Sequence, residues 1–167
     1  PAPPVAAITI NGNAGGTGVL TFSGTTLIDA FTITSTTLNA GSGASITYTN
    51  LTGLVINGVS NSDSFLVTSD TTPTTINGSS GNDTFNIRAN AAAAPLTLNA
   101  AAGTNTLNIG SAVPTVTGNT LAGVIGNITF NGGGNDALNF YDNGDVTAHT
   151  FNLSSTTLSS DITAAVV

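Results

Sequence analysis

Aspartate recurs at one place in a repeated turn of this sequence. Each copy runs from an apolar residue and Asn through a small-residue turn to an acidic or amide residue, and then to an apolar stretch. The copies lie at 56–67, 76–87, 98–109 and 130–140, with Asp63, Asp83, Asn105 and Asp136 in the equivalent place. A weaker first copy at 10–22 places Gly18 there. Calcium takes six to eight oxygen ligands from carboxylates and carbonyls, so Asp63 and Asp83 on stacked turns are the best candidates for a calcium half-site.

The same turns have a second interpretation that needs no metal. Asp and Asn side chains hydrogen-bond the backbone of their own turns, and Gly supplies positive φ. The turns would then form an Asx ladder, meaning a column of Asp and Asn side chains that joins stacked strands. Asn105 interrupts the column of carboxylates, but stacked carboxylates without a cation would repel each other. The sequence leaves both interpretations open.

A second acidic cluster lies in YDNGDV at 141–146. Asp142 and Asp145 flank Asn-Gly, which is a strong turn signal. Two carboxylates and an amide oxygen at this spacing are able to bind calcium, although such turns are usually solvated. The candidate calcium ligands of the chain are therefore Asp63, Asp83, Asp136, Asp142 and Asp145. No other cofactor is indicated.

The remaining ionisable residues do not form a catalytic set. The chain has one His, one Arg and no Lys, Glu or Cys. Arg88 is the only cationic group that a lyase could use, and Asp142 with Asp145 is the nearest carboxylate pair for a hydrolase. We interpret His149 as a surface strand residue and Arg88 as a solvated charge at a strand end, since isolated charges usually stay in water. The sequence predicts that the protein is not an enzyme.

The composition restricts the partners of the protein. Its 167 residues carry a formal net charge of −7 with a single basic side chain, which argues against binding to nucleic acid or to anionic membranes. No apolar run reaches the ~20 residues of a membrane-spanning helix, so membrane insertion is not expected. Low charge, no sulfur and abundant Asn and Thr suit a secreted, extracellular bacterial protein.

Short stretches of alternating apolar and polar residues must position these turns. APLTLN at 94–99, NTLNIG at 105–110 and GNITFN at 126–131 have the period of two that is typical of strands. No helical stripe is present, so the chain is predicted to be all-β. Because the turn recurs nearly in register, we favour a parallel β-solenoid, or β-helix, whose coils stack about 4.8 Å apart. An antiparallel β-sandwich is the alternative.

A longer repeat connects the two ends of the chain. ITINGNAGGTGVLTF at 8–22 aligns with ITFNGGGNDALNF at 128–140, and FTITSTTL at 31–38 aligns with FNLSSTTL at 151–158, an offset of 120 residues. We predict a Pro- and Ala-rich linker or processed N-terminus followed by a single repeat domain. The predicted bounds are 1–7 for the linker, 8–167 for the domain, 8–127 for one full period and 128–167 for a partial second copy.

GSSGNDTFN at 78–86 resembles the nonapeptide G-G-x-G-x-D-x-U-x of the calcium-binding β-rolls of RTX-type secreted proteins, where U is a large apolar residue. Ser79 replaces the second Gly. The copy at 131–139 matches at Gly132, Gly134, Asp136 and Leu138, and the copy at 58–66 only at Gly58, Asp63 and Phe65. The matching residues of the copy at 78–86 are Gly78, Gly81, Asp83 and Phe85. In that family the turns run in tandem and hold calcium between them, whereas here they are single turns separated by 20 or more residues.

The chain from about residue 8 to 160 also resembles the long repeat module of very large secreted bacterial surface proteins. This resemblance implies an extracellular, repeated and calcium-tolerant scaffold, without catalytic residues. The segment ITAAVV at 162–167 is uncharged and β-prone, as is typical of a strand that pairs with another chain. Most Phe residues lie in strand patterns typical of a core, namely Phe22, Phe65, Phe85, Phe130 and Phe140.

We therefore expect a non-catalytic extracellular structural module. It would stack or self-assemble end to end into a surface fibre, sheath or array through β-strand addition, with itself or neighbouring repeats as its partner. The alternative is a calcium-dependent adhesin module that binds glycans or another cell.

Overall fold

The computed structural model describes residues 7–41, 45–154 and 157–161. Every element of regular secondary structure within these ranges is a strand, which confirms the all-β prediction. Most of the predicted linker and the segment at 162–167 lie outside the described residues. The strands are β1 (Ile8–Asn11), β2 (Val19–Ser23), β3 (Ala30–Ile33), β4 (Thr37–Ala40), β5 (Ile46–Thr49), β6 (Gly53–Asn57), β7 (Ser64–Val67), β8 (Thr74–Asn77), β9 (Thr84–Ile87), β10 (Leu96–Ala101), β11 (Thr106–Ile109), β12 (Ile128–Gly132), β13 (Ala137–Phe140), β14 (Phe151–Leu153) and β15 (Leu158–Ser160).

Five units stack into a parallel solenoid, and each unit consists of two strands that follow one another in the chain and lie in different sheets. We name them coils 1 to 5, and they are β2–β3, β6–β7, β8–β9, β10–β11 and β12–β13. The first strands of the coils form a five-stranded sheet, and the second strands form most of an eight-stranded sheet, both in coil order. All of these neighbours pair in parallel. This arrangement is the predicted parallel β-solenoid and not the antiparallel sandwich.

The alternating sequence buries one side of each strand between the two sheets. In β7, for example, Phe65 and Val67 are buried whereas Ser64 and Leu66 are only half-buried. Because neighbouring coils are in register, each inward side chain stacks on its equivalent in the next coil. This stacking produces one continuous apolar core along the solenoid.

Phenylalanine rings stack along this core. The ring of Phe65 lies 5.0 Å from that of Phe31 and 5.2 Å from that of Phe85, nearly parallel to both. Phe65 and Phe85 are fully buried, as predicted, and Phe22, Phe130 and Phe140 pack half-buried against the core. Phe31 is a fully buried core residue that the sequence analysis did not single out.

One antiparallel strand interrupts the otherwise parallel eight-stranded sheet. β4 lies between β3 and β5 and is antiparallel to both, and β1 pairs in parallel with the far side of β5. The eight-stranded sheet therefore extends three strands beyond coil 1, whereas the five-stranded sheet ends at β2.

No helix in the described ranges is long and apolar enough to cross a membrane.

Candidate functional site

The turns between the two strands of each coil form an Asx ladder. In each step, the backbone N–H of the Asx residue in one coil donates to the side-chain Oδ1 of the Asx residue in the next coil. The members are Asp29, Asp63, Asp83, Asn105 and Asp136, and the four N···O distances between consecutive members are 2.8, 2.8, 2.9 and 2.9 Å. Each turn is thereby tied to the next by a hydrogen bond to the side chain, in addition to the strand pairing.

A steric relationship to glycine fixes the orientation of the ladder carboxylates. The second carboxylate oxygens of Asp63 and Asp83 are buried and have no hydrogen-bond partner. They face the Cα atoms of Gly58 and Gly78, where an added Cβ would overlap them. The Gly-x4-Asp spacing of these turns is thus a packing requirement, because the carboxylate occupies the space of a side chain at the Gly.

Coil 4 shows how the ladder changes when this Gly is absent. Ala100 follows Asn99, which is in register with Asn77, so Ala100 takes the place of Gly78. The ladder member of the same coil is Asn105 rather than Asp, and its Nδ2 donates to Asp136 Oδ1 at 2.9 Å. Ala and Asn therefore occur together where the other coils combine Gly with Asp.

Two further ladders consist of asparagine amides on the strands. Along the five-stranded sheet, Nδ2 of each Asn donates to Oδ1 of the Asn in the preceding coil, at 2.7, 2.7 and 2.8 Å. Its members are Asn57, Asn77, Asn99 and Asn131. The second ladder consists of Asn86, Asn108 and Asn139 on the eight-stranded sheet, with N···O distances of 3.0 and 2.9 Å.

The ladder departs from the sequence analysis at one position. Coil 1 contributes Asp29 and not Gly18, because the turn at 10–22 joins β1 to β2 whereas the ladder turn of coil 1 joins β2 to β3. Gly24 and Asp29 repeat the Gly-x4-Asp spacing of the next two coils, and this signal was overlooked. Asn105 interrupts the column of carboxylates, as noted, but it continues the hydrogen-bonded ladder.

The geometry at Asp63 and Asp83 gives each carboxylate contacts within the scaffold. One oxygen of each carboxylate accepts a backbone N–H, and the other is enclosed against a glycine. Calcium needs six to eight converging oxygens. The described residues contain no group of three or more His, Cys, Asp or Glu side chains that could hold a metal ion. Calcium binding stays a prediction, and these side chains already have a structural role.

Burial makes the stability of the ladder dependent on pH. Burial is the main cause that raises the pKa of Asp63 to about 6, against an opposing hydrogen bond from Asp29. Burial likewise raises the pKa of Asp70 to about 6 and raises that of Asp83. Between the ordinary value of 3.8 and about 6, the folded chain holds protons that the unfolded chain has released.

We therefore expect the free energy of unfolding to fall as the pH rises from about 4 to about 6, by on the order of 2 kcal/mol for each of Asp63 and Asp70. Chemical unfolding at a series of pH values measures this slope. Asp63→Asn should make the slope shallower, because one of the titrating groups is gone. A stability that rises with pH over the same window would contradict the expectation.

One residue of the second acidic cluster, Asp145, forms a clip with Asp161 around the single histidine. His149 lies outside any strand, with its side chain only 10% exposed. Its Nε2 is 3.3 Å from Asp145 Oδ2 and its Nδ1 is 3.0 Å from Asp161 Oδ1. The interpretation of His149 as a surface strand residue is therefore wrong. Asp142 does not join the clip, since its Oδ1 accepts the backbone N–H of Leu121 at 3.1 Å.

This clip holds the end of the β14–β15 hairpin to the loop before it, and it too depends on pH. Desolvation lowers the pKa of His149, but hydrogen bonds to Asp145 and Asp161 outweigh this, so the net shift is upward from 6.5. The stabilisation is full below 6.5 and is lost as the pH rises through the raised pKa.

We expect amide hydrogen exchange in β14 and β15, corrected for its intrinsic pH dependence, to be faster at alkaline than at mildly acidic pH. His149→Ala should remove this difference and leave exchange in β9 and β11 unchanged. An unaltered pH response in the variant would show that the clip does not hold the hairpin.

Several buried polar residues were not predicted. Asn119 is fully buried, and its Oδ1 accepts from the backbone of Ala112 while its Nδ2 donates to the carbonyl of Thr115, both at 2.7 Å. Such contacts within a loop leave no periodic signal in the sequence. Arg88 is half-buried rather than simply solvated, and its Nε donates to the carbonyl of Val113 at 2.7 Å.

The fold and ladders define a class of protein, a parallel β-solenoid whose coils are held in register by columns of Asp and Asn side chains. Comparison with protein-family models, curated proteins and solved structures finds no match to the chain.

Proposed function

We propose that this chain is a non-catalytic structural module that stacks end to end by β-strand addition and forms an extracellular surface fibre, sheath or array. The observation that carries the proposal is the open end of coil 5. Among the described residues, its strands β12 and β13 are the last members of their sheets and pair on one side only, with β10 and β11. The edges of such strands are templates for pairing with another chain.

The apolar core is also open at this end. Leu138 is in register with Leu107 and through it with Phe85, both of which are fully buried. Leu138 itself is 46% exposed. An added coil would bury this side chain as coil 5 buries Leu107, and burial of apolar surface favours association.

The ladders provide matching polar contacts. Asn131 and Asn139 of coil 5 donate to the Oδ1 atoms of the equivalent Asn residues in coil 4. Their own Oδ1 atoms are equivalently placed to accept from an added coil. An added coil with Asn at the same places would extend both ladders. At the opposite end, a cavity of about 240 Å³ has Ile8, Phe22 and Ile46 in its lining, so that end also offers apolar surface.

The acidic side chains support a structural rather than a catalytic role. The Oδ1 atoms of Asp63, Asp83 and Asp136 are hydrogen-bonded within the scaffold. The extracellular location rests on the low charge and the absence of Cys and Met.

Negative-stain electron microscopy and light scattering of the purified chain, with millimolar calcium and with chelator, test the proposal. We expect filaments in both buffers. Leu138→Arg should prevent them because it places a charge on the open core, whereas Val146→Arg should not, because Val146 is fully exposed in the loop before β14.

The outcomes separate the interpretations. Monomers in both buffers would overturn the proposal of self-assembly. Filaments only with calcium would support a role for calcium in joining the modules and would make the candidate ligand residues the next to substitute.

A further inference from the structure

The β14–β15 hairpin is a second copy of the β3–β4 hairpin. Both are antiparallel, and their residue pairs correspond at an offset of 120. The paired residues are Phe31↔Ala40, Thr32↔Asn39 and Ile33↔Leu38 in the first hairpin, and Phe151↔Ser160, Asn152↔Ser159 and Leu153↔Leu158 in the second. The two hairpins therefore have the same register.

The hydrogen bonds of the two connecting turns agree as well. The backbone N–H of Thr34 donates to the carbonyl of Thr37 at 2.9 Å, and that of Ser154 donates to the carbonyl of Thr157 at 2.8 Å. In return, the backbone N–H of Thr37 donates to Thr34 Oγ1 at 2.9 Å, and that of Thr157 donates to Ser154 Oγ at 3.0 Å. The long sequence repeat is thus also a structural repeat at this hairpin.

The surroundings of the two hairpins are very different. Phe31 and Ile33 are 1% and 0% exposed, because β3 pairs in parallel with β7 and the ring of Phe31 stacks on Phe65. The equivalent residues Phe151 and Leu153 are 46% and 82% exposed. The second hairpin has apolar residues at the same two positions as the first, Phe151 and Leu153. Among the described residues, it forms a separate two-stranded sheet.

We propose that this exposed face is the docking surface for a second copy of the segment 46–67, which contains β5, β6 and β7. In the first hairpin that segment pairs with both outer edges, with β7 beside β3 and β5 beside β4, and its Phe65 stacks on Phe31 of the same face. The β7 strand of the same repeat cannot serve, because β3 and β9 already occupy both of its edges. The occupant is a further repeat that uses β14 and β15 as its own first hairpin.

The same equivalence specifies how the next repeat joins the solenoid. β12 and β13 correspond in sequence to β1 and β2, which pair with β5 and β6. β1 lies in the eight-stranded sheet and β2 in the five-stranded sheet, whereas β12 and β13 have the opposite assignment. The five-stranded sheet of one repeat therefore continues into the eight-stranded sheet of the next. This inference rests on the proposed end-to-end stacking and specifies its register.

A single disulfide tests that register, since the natural chain has no Cys. Thr32 is the Cα partner of Leu66, so Asn152 should be the partner of Leu66 in the second copy. The test protein is residues 1–160 followed directly by a second copy of residues 41–167. Asn152→Cys is placed in residues 1–160 only, and Leu66→Cys is placed in the second copy only. The control is the natural chain with Thr32→Cys and Leu66→Cys, where the two strands are already neighbours.

We expect the disulfide to form in the lengthened chain to about the same extent as in the control, since paired strands bring Cα atoms within the range that a disulfide spans. A lengthened chain that does not fold, or that folds without the disulfide while the control forms it, would overturn the inference. The assembly of the natural chain is a separate measurement. Filaments without the disulfide would leave the proposed function standing, and the disulfide without filaments would leave the register standing.

A matched pair of substitutions gives a second readout. Leu153→Asp should lower the unfolding midpoint of the lengthened chain but not that of the natural chain, where Leu153 is 82% exposed. Val146→Asp should change neither, since Val146 is fully exposed. Equal effects of Leu153→Asp on both chains would contradict the docking surface.

Discussion

Gly78→Ala is expected to destabilise the protein by about 3 kcal/mol, because overpacking a filled core forces its neighbours to move. The added Cβ would overlap Asp83 Oδ2 and would lie 3.2 Å from the ring of Phe85. Both neighbours are fully buried, in the middle of the solenoid. Chemical unfolding monitored by circular dichroism measures the loss.

The chain itself suggests the compensating change. Coil 4 combines Ala100 with Asn105, where coil 3 combines Gly78 with Asp83. Asp83→Asn alone should cost little, since an amide still accepts from the backbone of Asp63. The double variant should regain at least half of the stability that Gly78→Ala loses. Additive losses in this double-mutant cycle would show that the two positions are not coupled.

Phe65→Ala is expected to be at least as damaging, with a loss of about 3–5 kcal/mol. Phe65 is the central ring of the stack and is fully buried between Phe31 and Phe85. Its removal leaves a cavity and also ends the contact between coils 1, 2 and 3 along this column. The measurement is again the free energy of unfolding.

Phe65→Leu is the matched control. Leu107 takes the equivalent place in coil 4, so the solenoid accommodates Leu in this column. We expect a loss well below that of the Ala variant, because less volume is removed. Equal losses for Leu and Ala would indicate that ring stacking, rather than filled volume, determines the stability at this position.

The sequence was most informative where it was periodic. Alternating residues in APLTLN and GNITFN identified β10 and β12 to within a few residues, and the recurring turns indicated parallel coils. The Asx ladder was one of two interpretations of Asp63 and Asp83, but their side chains accept from the backbone of the neighbouring coil and not from that of their own turn. Repetition makes such features visible because every coil must satisfy the same backbone groups.

Features that occur once were not predictable in this way. β4 has the same alternating pattern as the other strands, so its sequence alone does not show that it pairs antiparallel with β3 and β5. The clip between His149 and Asp161 joins residues that are distant in sequence and belong to no motif. The position of Asp83 Oδ2 against Gly78 depends on a side-chain rotamer, which residue spacing does not encode.

The amide ladders also give the solenoid a direction. Every Asn amide of these two ladders donates toward the coil that precedes it, so the two ends of the stack are not identical. A two-fold axis would have to join like ends, which this polarity disfavours. Heterologous contacts that do not close into a ring generate open helical polymers. In the proposed end-to-end assembly, the ladders therefore favour growth without a defined length, with all subunits pointing the same way.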